Sequence, residues 1–78
     1  MNAMQRAVRE TLQDPDEVRK SFRDPDSTKV YYKWYTDTRV GDKWLCVVVK
    51  FLENDAFVLT AYETDNIKPG ELIWRKES

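Results

Sequence analysis

The sequence predicts an α+β domain, with two amino-terminal helices packed on one face of a curved antiparallel sheet of three to four strands. Three observations predict it. Met4, Ala7, Val8 and Leu12 recur at spacings of three to four, the stripe of an amphipathic helix. Asp14-Pro15-Asp16-Glu17 offers an N-cap, a proline at the first helical position and a glutamate able to reach back to the cap. From Lys29 onward β-branched and aromatic residues take over, which favours strands.

The first helix is expected over about residues 3 to 13, where Asn2 and Gln5 imitate a capping box. The second starts at Asp14-Pro15, carries Val18 and Phe22 on one face, and stops at Asp24-Pro25, since proline disfavours the helical conformation of the residue before it. Strands follow at Val30 to Tyr35, Trp44 to Leu52 and Ala56 to Glu63. The polar stretch 36–42 and a short hairpin at Glu53-Asn54-Asp55 connect them as antiparallel neighbours. Lys68-Pro69-Gly70 suggests a turn, and Leu72, Ile73 and Trp74 form either a short fourth strand or a hydrophobic anchor.

Period-two alternation assigns the faces. A three-residue hairpin loop pairs Phe51 with Leu59 and Val49 with Ala61, gathering Val47, Val49, Phe51, Phe57, Leu59 and Ala61 on an apolar face. The other face then shows Lys50, Thr60 and Tyr62, with Tyr31, Lys33 and Tyr35 joining from the first strand and Trp44 from the second. Lysines interleaved with aromatic rings and a hydroxyl suit a flexible anionic strand, whose bases lie on the rings while phosphates meet the ammonium groups. The same alternation is also how an ordinary sheet keeps one face wet.

With 78 residues, 13 basic and 14 acidic side chains, the chain is one small domain, residues 1–78, near neutrality. A net charge of −1 argues against coating nucleic acid by charge alone, so such a role needs a local patch. A single cysteine and no histidine exclude an internal disulfide, make a zinc site improbable and remove histidine-based catalysis. No metal or cofactor is expected. The longest apolar run, Leu45 to Val49, is too short for a membrane span, and no signal-peptide pattern is visible, so a cytoplasmic address is expected.

The succession Asp14-Pro15-Asp16-Glu17-Val18-Arg19-Lys20-Ser21, Asp24-Pro25, Tyr31-Tyr32-Lys33, Val47-Val48-Val49-Lys50 and Phe57-Val58-Leu59-Thr60-Ala61-Tyr62 continues into Thr64-Asp65-Asn66-Ile67-Lys68-Pro69-Gly70-Glu71 and Ile73-Trp74. This pattern resembles the phage-associated nuclease-like domains of the barnase, EndoU, colicin and RelE superfamily. The resemblance implies a RelE-like fold and toxin-like, metal-independent RNA cleavage or RNA binding. Relatives often carry a histidine before the first helix and an arginine where Lys33 stands; this chain has neither.

Mapped here, the resemblance implies that Lys33 and Lys50 neutralise phosphate charge, Thr60 holds a phosphate oxygen and Tyr62 donates a proton or hydrogen bond. Tyr31, Tyr35, Arg39 and Trp44 would complete the RNA contact, Arg39 as a closing cation. The alternative is a catalytically inactive protein-interaction module of the same fold. That module would bind another protein or a second copy of itself through the same face; independently, the Trp44, Cys46, Val48 strip is expected to contact a second copy, as a homodimer, or a small antitoxin-like protein that would inhibit an active enzyme by covering Lys50 and Tyr62.

Overall fold

The computed structural model describes residues 3–38, 41–67 and 69–76. One helix, α1 (Ala3–Gln13), precedes five strands: β1 (Glu17–Lys20), β2 (Thr28–Thr38), β3 (Gly41–Leu52), β4 (Asp55–Thr64) and β5 (Leu72–Arg75). All neighbours are antiparallel, in the order β4-β3-β2-β1-β5. The expected architecture is therefore corrected: α+β stands, but with one helix on a five-stranded sheet rather than two helices on three or four strands.

The first helix forms where its apolar spacing places it. Ala7, Val8 and Leu12 pack on Leu45, Val47 and Val49, the buried centre of the molecule. Thr11, fully buried within this helix, donates its hydroxyl to the Ala7 carbonyl at 2.7 Å, so burial leaves no unpaired oxygen. The amide of Asp14 closes the last turn on the Glu10 carbonyl at 2.8 Å.

The expected second helix is a strand. Asp14, expected as the cap of that helix, instead pairs its carboxylate with Lys76 and Lys33, while the Asp16 N–H donates to the Tyr32 carbonyl and the Asp16 carboxylate accepts the Trp34 N–H, both at 2.8 Å. Glu17 to Lys20 then lie between β2 and β5, with Val18 opposite both Tyr31 and Trp74. A four-residue segment gains ladder bonds on both sides this way, and tertiary pairing overrides the local helix signals. Phe22, expected on the buried face of that helix, is 78% exposed.

Residues paired across strands share a face. On the helix side lie Tyr31, Lys33 and Tyr35, opposite Val47, Leu45 and Lys43. This corrects the face expected for them. The first connection is not a loop over residues 36–42: β2 runs to Thr38, which pairs with Gly41, and the resulting register sets Lys33 beside Leu45 instead of with Lys50. Gly41 has φ of 93°, a left-handed conformation that favours glycine.

The second hairpin turns at Glu53-Asn54, with Leu52 opposite Asp55, rather than through three residues. A register shift between Val48 and Val49 leaves Leu59 as the extra residue of a bulge, so Ala61 pairs with Val47 and Tyr62 with Cys46. Thr60, Tyr62 and Lys50 thus share the face away from the helix, whereas Phe57, opposite Lys50, joins them there instead of entering the core. Leu59 and Val58 are also exposed, because α1 packs on β2 and β3 and leaves β4 uncovered.

Val47→Ala is expected to lose about 2 to 3 kcal/mol through lost burial and a residual cavity. Leu59→Ala, at a residue 51% exposed, is expected to lose less than about 1 kcal/mol. Denaturant unfolding of the two variants checks this difference.

Candidate functional site

The face away from the helix is not an open wet surface. Cys46 and Tyr32 are buried on it, and Tyr32 and Trp34 both meet the Trp44 ring edge-on, at centroid separations of 6.4 and 5.0 Å. Of the Trp44, Cys46, Val48 strip expected to meet a partner, Cys46 is buried while Trp44 and Val48 are half-buried.

On this face lies a cleft of about 480 Å³. Ser21, Phe22, Arg23, Val30, Tyr32, Val48, Thr60, Tyr62 and Pro69 line it. The walls come from distant parts of the chain. Val30 and Tyr32 of β2 and Val48 of β3 form the apolar floor, Thr60 and Tyr62 of β4 one side, and residues 21–23 after β1 the other.

Two local structures fix the rim. Between β1 and β2 the Asp24 carboxylate accepts the Ser27 and Thr28 hydroxyls, at 2.5 and 3.0 Å, while the Ser21 N–H donates to the Thr28 carbonyl. This turn throws Phe22 and Arg23 outward. Beyond β4, Gly70 lies so close to β1 that a Cβ would stand 2.3 Å from the Lys20 carbonyl oxygen, and its own carbonyl accepts an Arg19 N–H at 3.0 Å. Only glycine permits that approach, which holds the Pro69 side of the cleft against β1.

The structure brings Lys50, Thr60, Tyr62 and Trp44 onto one face and separates Lys33, Tyr31 and Tyr35 from them. Lys33 donates to the Asp14 carbonyl at 2.9 Å and lies 3.6 Å from the Asp14 carboxylate, bracing the end of α1. Tyr31 packs against the core, and burial pushes its phenol up from the ordinary value. Tyr35 is pushed up as well, chiefly by burial, with its hydroxyl 3.3 Å from Glu10. Arg39 and Lys68 lie outside the described residues.

Phe22 and Arg23 are not legible as site residues in the sequence, because a helix reading of residues 15–23 buries the ring. The signal that could have found them is the Asp24-Pro25 turn immediately following, which suits a hairpin connection as well as a helix stop. Among the described residues, no three acids or cysteines cluster as a metal site, and no helix is long and apolar enough to cross a membrane.

Compared with family models, curated proteins and solved structures, the chain matches none. Nothing among these comparisons identifies the nuclease-like superfamily expected from the sequence.

The hydroxyls of Ser27 and Thr28, in that order, hold the Asp24 carboxyl below its ordinary value of 3.8. A carboxyl depressed in the folded state contributes stability above the unfolded-state value, and the contribution is lost as pH falls through the depressed one. The melting temperature is therefore expected to drop on acidification below about pH 4. In Asp24→Asn the melt should be lower at neutral pH and its acid dependence shallower; identical profiles would show that the turn does not depend on this charge.

Proposed function

We propose that the cleft binds a single-stranded segment of RNA. The observation that carries this is the Phe22-Arg23 pair, an exposed ring beside a guanidinium on the rim of a cleft whose opposite wall carries the Thr60 and Tyr62 hydroxyls. Unstacked bases need a ring face, and phosphates need cations and hydroxyl donors. Phe22 offers the stacking platform. Arg23 and, further along the same face, Lys50 face the phosphates, with Thr60 and Tyr62 as hydrogen-bond partners. This local pair of cations supplies the patch that an overall charge of −1 demands.

RNA cleavage by attack of a 2′-hydroxyl on the adjacent phosphorus needs a proton acceptor as well as charge neutralisation. Among the described residues, the cleft lining holds neither carboxylate nor lysine. Binding is what this set of side chains supports, and toxin-like cleavage is its stronger form. Lys33 has no part in either, since it projects on the helix side.

The test is fluorescence anisotropy with a short unstructured RNA at several salt concentrations, in EDTA, followed by a gel for discrete products. Phe22→Ala and Arg23→Ala are each expected to weaken binding by about tenfold or more, from lost stacking and a lost phosphate contact. The cooperative melt should be unchanged, because both side chains are exposed. Wild-type protein that binds no RNA, or variants that bind equally well, would overturn the reading, and discrete products would extend it to cleavage.

A further inference from the structure

The face away from the helix continues beyond the cleft. Paired residues on that face form successive rows across β2, β3 and β4: Thr28, Lys50 and Phe57, then Val30, Val48 and Thr60. Tyr32, Cys46 and Tyr62 make the third row, and Trp34, Trp44 and Thr64 the fourth. The second and third rows supply the floor and one wall of the cleft. Phe22 and Arg23 stand at the first-row end, where the Ser21 N–H donates to the Thr28 carbonyl at 2.9 Å. The fourth row is thus the next surface met by a strand leaving the cleft at its opposite end.

Trp34 is 40% exposed in that row, unlike the buried Tyr32 and Cys46 of the row before it. Its N–H donates to the Asp16 carboxylate at 2.8 Å, and its ring meets Trp44 at 65°. The indole therefore stands on a fixed base with part of its surface open. Asp16 leaves no unopposed negative charge beside it, because Lys76 lies 3.5 Å away. Arg75 flanks the same end: it pairs with Glu17, which pairs with Tyr32, so all three share the third row. Its Nε holds Glu17, yet its side chain is 60% exposed. An open ring with a cation on its flank thus occurs at both ends of the face, Phe22 with Arg23 and Trp34 with Arg75.

We infer that Trp34 is a second base-stacking platform, and that the site takes single-stranded RNA of about four nucleotides or more, lying along the strands between Phe22 and Trp34. This rests on the RNA-binding reading of the cleft and adds to it a length and a second anchor. The span sets the length. Thr28 to Trp34 is a run of six residues along β2, roughly 20 Å at about 3.3 Å per residue. Bases in a duplex advance about 3.4 Å each, and splaying them onto separate rings about doubles that advance, so roughly three steps bridge the two platforms. A mononucleotide or dinucleotide reaches one platform at a time. Trp74 has no part in the path, since it pairs with Val18, which pairs with Tyr31 on the helix side.

Competition by oligouridylates of two, four and eight nucleotides against a labelled octanucleotide, in EDTA, tests this. Wild type should bind the tetranucleotide at least about fivefold more tightly than the dinucleotide, from the second stacking contact, and gain little more at eight. The tetranucleotide should also quench tryptophan emission. Trp34→Ala should lose the gain between two and four nucleotides while binding the dinucleotide nearly as before; a merely structural role would weaken all lengths alike. Trp34→Phe, which keeps a ring, should retain the gain with less quenching, and it decides the matter if Trp34→Ala lowers the melt. Equal gains with length in wild type and a folded Trp34→Ala, or saturation by the tetranucleotide without quenching, would overturn the second platform. The cleft reading would survive either result if Phe22→Ala and Arg23→Ala still weaken binding, whereas failure of every length to bind wild type would overturn both.

Discussion

The fold turns on a single buried carboxylate. Glu17 is 4% exposed, and its two oxygens are taken by Arg19 Nε of the same strand and Arg75 Nε of β5. A carboxylate this buried is unfavourable unless charged partners and hydrogen bonds compensate for its lost water. Here the compensation requires β1 extended, so that Arg19 projects to the same face two residues on, and β5 alongside, so that Arg75 arrives from the neighbouring strand. One ion triad thereby selects strand over helix for residues 17–20 and anchors the carboxyl-terminal strand.

The consequence reaches the cleft. With β1 inside the sheet, the chain must reverse between Lys20 and Thr28, and the Asp24 turn that accomplishes this places Phe22 and Arg23 at the rim facing Thr60 and Tyr62. Were residues 15–23 helical on the core side, the ring would be buried and the cleft would lose a wall. Lys76 reinforces the arrangement by pairing with Asp14 at 2.8 Å, a contact that holds the carboxyl of Asp14 below its ordinary value and raises the lysine. The end of β5 is thus fastened to the junction of α1 and β1.

The legible parts of the sequence are those where local pattern and tertiary demand agree. The stripe Ala7, Val8, Leu12 specifies α1, and the alternation of Leu45, Val47 and Val49 against Cys46 and Val48 specifies β3, because burial at helical or strand period leaves few alternatives. The grouping of Lys50, Thr60 and Tyr62 is legible too, although the connecting turn has two residues and a bulge at Leu59 instead of three residues. An added residue in the bulge offsets the shorter turn, so the parity near Tyr62 survives while that near Phe57 does not.

Residues 14–23 mislead because Asp-Pro-Asp-Glu carries strong helix-start chemistry whose acids instead engage long-range partners: Asp16 meets Trp34 and Glu17 meets Arg75. No local rule announces such partners. The side expected for Lys33 fails similarly, since the parity of a hairpin depends on where the strands stop pairing. The central claim, that residues 17–20 are a strand between β2 and β5, is tested most directly by solution NMR. The account predicts strand-type carbon shifts over 17–20 and cross-strand NOEs from Val18 to both Tyr31 and Trp74; helical shifts across 15–23 without those contacts would contradict it.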